Sequence, residues 1–380
     1  MSSFSSFAIT VAAIICSGEA TKKIKMLVFK LALPENYKIN ILIIRTSSIG
    51  DIIFSLPIIP AIKKTYPDSK ITWIIEEDYK QLIKNEIFID AVIFFPKKKL
   101  KSLIKKFALL QITRTIFSLR KELQITKYDM VLDLQGLFRT SLLVFLSNSK
   151  NKISLGSEFI GKFFFNKIVS RNKSERISSE YYEFAKVLGL DVQQFNPRFT
   201  LDPSIKVTSL LPPNIKMNNY FVIFPFTTKD HKHWSSEYWE ELINKIDKNT
   251  GLKCVVLGNS LNKYQEQLSL RLSHRSVYSL VDKTNLQEAA AVISKAKFCI
   301  GVDTGLTHMS VSLSKPTIAI FLSTCPYLDP IEKNIRIIWS IMGNKSKNQD
   351  ARYKGPHTPV KEVTVETVLK ELDMLTKHPG

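Results

Sequence analysis

Runs rich in Ile, Val and Phe alternate along this chain with helical patterns, and that alternation limits the fold more than any other feature. The first half carries Ile41–Arg45, Ile71–Ile75, Ala91–Phe95 and Met130–Leu134; the second carries Tyr220–Phe224, Cys254–Gly258, Val277–Leu280, Phe298–Val302 and Thr317–Phe321. Strands that alternate with helices build βαβ units, and their crossovers make the sheet parallel. Between the sets, from Asp202 to Asn219, lies a stretch containing Leu-Pro-Pro-Asn that reads as a linker. A chain of 380 residues with 44% hydrophobic content has enough apolar material for two ordinary cores. The sequence therefore predicts an α/β protein of two Rossmann-like, doubly wound domains with a ligand cleft between them.

The first strand breaks at Ser-Ser-Ile-Gly-Asp and runs into a helical pattern through Pro57. Asp51 is thereby placed at the carboxyl end of a strand, where ligands bind in open parallel sheets. It is the candidate general base. An Asp at such a place also serves as a helix cap, since its side chain satisfies free backbone donors.

Two constellations in the second half carry chemistry. Phe224 to Trp234 reads Phe-Pro-Phe-Thr-Thr-Lys-Asp-His-Lys-His-Trp. Hydroxyls of Thr227 and Thr228 and the point charge of Lys232 are the parts needed to hold a phosphate. Ile300 to Met309 reads Ile-Gly-Val-Asp-Thr-Gly-Leu-Thr-His-Met, a strand leaving through a Gly-containing turn into a helix. Amides of Gly305, Leu306 and Thr307 at that helix start, with its dipole, make a natural diphosphate site, and His308 adds a hydrogen bond.

Lys and Arg total 54 against 34 Asp and Glu, so the surface attracts polyanions. A nucleic-acid-binding module would use such charge, but no recognised motif accompanies it. A nicotinamide oxidoreductase is disfavoured because no Gly-x-Gly-x-x-Gly follows the first strand. Cys16, Cys254, Cys299 and Cys325 lie far apart without metal-ligand spacing and read as reduced core residues. The apolar run at residues 7–16 is too short to span a bilayer and no basic stretch precedes it. Residues 1–38 are expected to form an extension outside the fold.

Together, Arg45-Thr-Ser-Ser-Ile-Gly-Asp51 with Leu56-Pro57, Thr72-Trp-Ile-Ile-Glu-Glu77, Asp133-Leu-Gln-Gly-Leu137, Thr227-Thr-Lys-Asp-His-Lys-His-Trp234 and Gly301-Val-Asp-Thr-Gly-Leu-Thr-His308 carry a resemblance. In that order, over about residues 40–375, the chain resembles the bacterial lipopolysaccharide heptosyltransferases of glycosyltransferase family 9, leaning toward the first-heptose type. The resemblance implies a GT-B fold and no cofactor. It implies inverting, metal-independent transfer of L-glycero-D-manno-heptose from ADP-heptose to the first Kdo of Kdo2-lipid A, at the cytoplasmic face of the inner membrane. It makes Asp51 the catalytic base, and Thr227, Thr228, Lys232, Asp303, Thr304, Gly305, Leu306 and His308 the donor site. Acceptor contacts are implied at Ser48, Gly50, Lys98, Lys99 and Lys101, with lysines standing where the family has an Arg-rich segment. The same lysines favour an anionic leaflet. An enzyme of the same family acting on a second heptose or another glycan is the alternative.

Two stretches depart from the family pattern. No acidic cluster follows Gly258, which leaves the ribose without its usual partner, so the base contact is expected near Thr284 to Leu286. Residues 156–180 are expected to lack the usual Arg–Glu pair of the acceptor half. The implied organisation is an acceptor domain at 39–205 and a nucleotide-sugar domain at 206–355. A helix within 356–380 is expected to pack back on the first domain.

Overall fold

The computed structural model describes residues 38–171, 179–196, 198–259, 268, 271–272, 277–324, 334–342 and 357–377. The proposed extension at 1–38 therefore lies outside the described residues apart from Lys38, as do Cys16, Cys325 and the stretch following Asn259.

Strands β1 (Asn40–Ile44), β2 (Lys70–Glu76), β3 (Ala91–Phe95), β4 (Met130–Asp133), β5 (Lys152–Leu155) and β6 (Lys167–Val169) form one parallel sheet in the order β3-β2-β1-β4-β5-β6. Strands β7 (Tyr220–Phe224), β8 (Lys253–Val256), β9 (Val277–Ser279), β10 (Cys299–Val302), β11 (Thr317–Phe321), β12 (Ile335–Ser340) and β13 (His357–Val360) form a second. Its order is β13-β12-β11-β10-β7-β8-β9, again parallel. In each sheet the strand order reverses beside one central strand, β1 in the first and β7 in the second. A crevice opens at the carboxyl ends there. The two doubly wound sheets agree with the fold expected from the sequence.

Strand β1 is apolar after Asn40 and β7, Tyr-Phe-Val-Ile-Phe, is apolar throughout, and nearly every residue is buried because helices cover both faces. One core cluster runs from the first sheet, through Leu201, Val207, Leu211 and Ile215, to the second. The stretch expected to be a linker is thus packed rather than loose. Gln287, on the helix Leu286–Ser294, fixes the junction: its amide donates to the carbonyls of Gln81 and Thr200 and accepts from the Asp202 amide.

The final helix, Val365–Lys377, corrects the expectation that it returns to the first half. Val365, Val368, Leu372 and Leu375, spaced for one helical face, join the core of the second sheet with Ile318, Ile320 and Ile338. The indole of Trp234 donates to the Val363 carbonyl and Lys245 pairs with Glu366, so polar contacts hold it to the same half. Cys254 and Cys299 are free and buried, as their apolar settings predicted. Among the described residues no helix is long and apolar enough to cross a membrane.

Candidate active site

Two short helices meet at their amino ends across the crevice. One is Ile49–Ser55 after β1; the other is Gly305–Ser312 after β10. A Cβ added at Gly50 would lie 2.4 Å from His308 Cδ2, and one at Gly305 would lie 2.6 Å from Ile49 Cβ. Only glycine lets these backbones approach so closely. Gly50, expected to touch acceptor, therefore has a packing task as well. Beside this contact is a cleft of about 340 Å³ whose lining includes Asp51, Thr227, Thr228, Lys232 and Leu306.

Asp51 stands in the first turn of its helix and Ser48 is the cap, so the sequence reading of Asp51 as a cap is displaced by three residues. The Ser48 hydroxyl (2.8 Å) and amide (3.3 Å) both donate to Asp51 Oδ2. Arg45 reaches the same oxygen at 2.6 Å from below, its side chain only 5% exposed while that of Asp51 is 48% exposed. Oδ2 is thus occupied by three donors, and Oδ1 has no partner among the described residues. A carboxylate held at one oxygen and open at the other suits proton abstraction.

Arg45 is itself fixed. Its other guanidinium nitrogen donates to the Leu134 carbonyl, and it lies 5.9 Å from the Tyr181 ring centroid. Beneath it, Asp133 accepts from the Gln135 and Gly136 amides and from Thr140. Burial pushes the Asp133 carboxyl up to about 6, although those hydrogen bonds and Arg45 oppose the rise. The Asp-Leu-Gln-Gly block therefore supports Asp51 through Arg45. Thr46, Gln135 and Glu76 continue the network to Lys97, whose ammonium is 3.0 Å from both Glu76 oxygens. An Arg–Glu pair also exists in the segment expected to lack one: Arg171 binds Glu180 and donates to the Gln135 carbonyl.

Across the cleft, Lys232 pairs with Asp303, which also accepts from Thr324 and lies 3.5 Å from His308 Nε2. Burial alone would raise the Asp303 carboxyl, but His308 and Lys232 outweigh it and hold the group well below the ordinary carboxylate range. The buried Asp303 charge is neutralised by Lys232. Its task here is to orient Lys232 and His308. The Thr307 and His308 amides bond to the Thr304 carbonyl, which corrects the expectation of a free Thr307 amide. Gly305 and Leu306, the first helical residues, retain donors that the helix cannot satisfy.

The Thr227 amide donates to His233 Nε2 at 3.3 Å, and Thr227 and Thr228 both line the cleft. Burial lowers the His233 imidazole, consistent with a ring nitrogen that accepts. Thr304 and Leu286 also line the cleft.

Lys98, Lys99 and Lys101 do not line it. They ride on the helix Lys97–Lys105, where Lys98 pairs with Asp78 at 2.8 Å and the other two are exposed. Tyr79, Phe226 and Asn259, missed in the sequence, do line the cleft. No periodic or charge signal marks them; only the sheet topology gathers them. Arg45 was visible as the residue just after β1, but its buried reach to Asp51 was not. Among the described residues no three His, Cys, Asp or Glu side chains gather as a metal-ion site.

The chain as a whole is similar to known proteins. The family described as glycosyltransferase family 9 (heptosyltransferase) matches residues 116–356. The chain is 30% identical over 295 residues to Salmonella typhimurium lipopolysaccharide heptosyltransferase 1, covering 76% of this chain and 90% of that protein. It is 26% identical over 344 residues to the Escherichia coli lipopolysaccharide heptosyltransferase 1, covering 88% of this chain and 100% of that protein. The E. coli heptosyltransferase WaaC with ADP-2-deoxy-2-fluoro heptose superposes with a TM-score of 0.69 at 26% identity, covering 88% of this chain and 99% of that one.

Proposed function

Because the chain belongs to glycosyltransferase family 9, the heptosyltransferases, we propose that it transfers L-glycero-D-manno-heptose from ADP-heptose to the first Kdo of Kdo2-lipid A, with inversion and without a metal. The observation that carries this reading is the opposition of Asp51 to the Lys232, Gly305 and Leu306 group across one cleft. In-line displacement needs a base on one face of the anomeric carbon and an anion site on the other.

In this mechanism Asp51 Oδ1 takes the proton of the acceptor hydroxyl as its oxygen attacks the anomeric carbon. The bond to the diphosphate breaks on the far side, and its oxygen gains charge. Lys232 and the Gly305 and Leu306 amides receive that charge, while the Thr227 and Thr228 hydroxyls hold the phosphates. His308 spans the two helices, between Gly50 and Asp303, so donor and base are set by one contact. Residues 39–205 form the acceptor half. Residues from 206 onward, including β13 and the final helix, form the donor half. The enzyme works as a peripheral protein on the cytoplasmic face of the inner membrane, where Lys98, Lys99 and Lys101 meet acceptor anions outside the cleft.

The test is transfer from ADP-heptose to Kdo2-lipid A by purified protein in EDTA, with the linkage read by NMR. A product of anomeric configuration opposite to the donor supports the proposal. Retention, a requirement for divalent metal, or transfer only to an acceptor that already bears a heptose would overturn the corresponding part.

A further inference from the structure

The hairpin formed by helices Lys97–Lys105 and Leu109–Ile125 turns its apolar tip outward. Phe107 at the tip is 87% exposed and Leu110 is 76% exposed, and Ile104, Leu109 and Phe117 are exposed with them. Phe107 also takes a left-handed backbone (φ 50°), which is unfavourable for a bulky side chain, yet its ring gains no burial in return. Exposed apolar residues grouped this way mark an interaction surface.

Charge identifies the partner. From Lys97 to Lys121 the chain contains no Asp or Glu, and Lys101, Lys105, Lys106 and Arg114 surround the tip. On the outward face of the second helix Leu110 and Phe117 alternate with Arg114 and Lys121, a cationic amphipathic face. An apolar tip within a basic rim matches an anionic lipid bilayer, whose headgroups meet the rim while the rings enter the acyl boundary.

The tip also stands on the useful side. The second helix is about 25 Å long at 1.5 Å per residue and ends near the amino edge of the sheet, where β4 begins. Strand β4 spans only about 13 Å. Residues Ile116, Leu119 and Leu123 of that helix pack on the core, so its first turns overhang the carboxyl edge, the edge that bears the cleft. The base of the hairpin is tied to that edge by Lys97 to Glu76 and Lys98 to Asp78.

We propose that the Ile104–Leu110 tip inserts into an anionic bilayer and presents the cleft to an acceptor anchored in the same leaflet. The orientation rests on the transferase reading, but the binding is tested without donor or acceptor. The full chain is floated with vesicles of phosphatidylglycerol and phosphatidylethanolamine, and separately with phosphatidylcholine alone.

Wild type is expected to float with the anionic vesicles only. Replacing Phe107→Ser with Leu110→Ser lowers partitioning at least about tenfold. Lys105→Gln with Lys106→Gln removes two charges and lowers it about twenty-fivefold, at roughly fivefold per charge, and weakens its salt dependence. Both variants keep wild-type transfer to a deacylated, water-soluble acceptor. Equal flotation by the Phe107/Leu110 variant, or equal binding to phosphatidylcholine, overturns the proposal. So does a change of oligomeric state in that variant with no vesicle binding by wild type, which would make the tip a self-association surface. Patch-dependent flotation without any transfer by wild type would leave the membrane surface standing and remove the transferase reading.

Discussion

Replacing Gly50 by alanine sets a methyl group against the contact that joins the two halves of the site. The new Cβ would stand 2.4 Å from His308 Cδ2 and 3.1 Å from Cγ. Carbon atoms rest about 3.5 Å apart, so something must move by about 1 Å. The His308 ring cannot yield alone. It is buried, its centroid is 5.1 Å from that of Phe54, and its Nε2 is 3.5 Å from Asp303. Sliding the Ile49–Ser55 helix is resisted by Ile49, which sits where a Gly305 side chain would otherwise be. The helices must therefore separate, and overpacking of this kind costs about 1–3 kcal/mol of stability. Asp51, the next residue, moves with its helix. A misplacement of about 1 Å in a reacting group lowers turnover on the order of a hundredfold. The assay pairs urea unfolding with kcat for heptose transfer; G50A with wild-type values of both would refute the coupling drawn here between packing and catalysis.

Lys232→Ala removes the charge proposed to receive the leaving diphosphate and should lower kcat roughly a hundredfold, about 3 kcal/mol in the transition state, read by steady-state kinetics. Asp133→Asn tests the support beneath Arg45: the folded carboxyl titrates at about 6 against an ordinary 3.8. The folded state holds that proton more tightly, so this group favours the folded state least above pH 6, and its contribution falls by about 2 kcal/mol as pH rises from 4 to 6. Urea midpoints across that window should show wild type losing this contribution and the variant not. Leu372→Ala should destabilise the second half by about 2–4 kcal/mol, because Leu372 is packed in its core. An unchanged unfolding midpoint would contradict that placement.

Strands with dense Ile, Val and Phe were readable at once: Ala91–Phe95, Tyr220–Phe224 and Thr317–Phe321 fall where the sequence places them. The four that escaped have physical reasons. Lys152–Leu155 and Lys167–Val169 are short and flanked by polar residues, and Ile335–Ser340 interrupts its apolar run with Arg336. Strand β13 carries Pro359, which is tolerated because β13 lies at a sheet edge. At the site, the placement of Asp51 and the Gly305 turn just beyond strand ends was legible from the break in each apolar run. Arg45 was not, since a basic residue closing an apolar strand gives no sign that it folds under the next helix. Asp303 was recognised as part of the donor block but its work, holding Lys232 and His308, depends on partners 71 and 5 residues away along the chain. The close approaches at Gly50 and Gly305 belong to the pairing of two halves, which no local pattern encodes.

The central claim is that Asp51, gripped at one oxygen by Arg45 and Ser48, is the base. Single-turnover transfer by Asp51→Asn, with ADP-heptose affinity measured in parallel by calorimetry, tests it most directly. The substitution keeps the shape and the cap contacts while removing the proton acceptor, so the rate should fall by at least about a thousandfold with donor affinity unchanged. A variant that transfers heptose within tenfold of wild type would contradict the account and move the base elsewhere in the cleft.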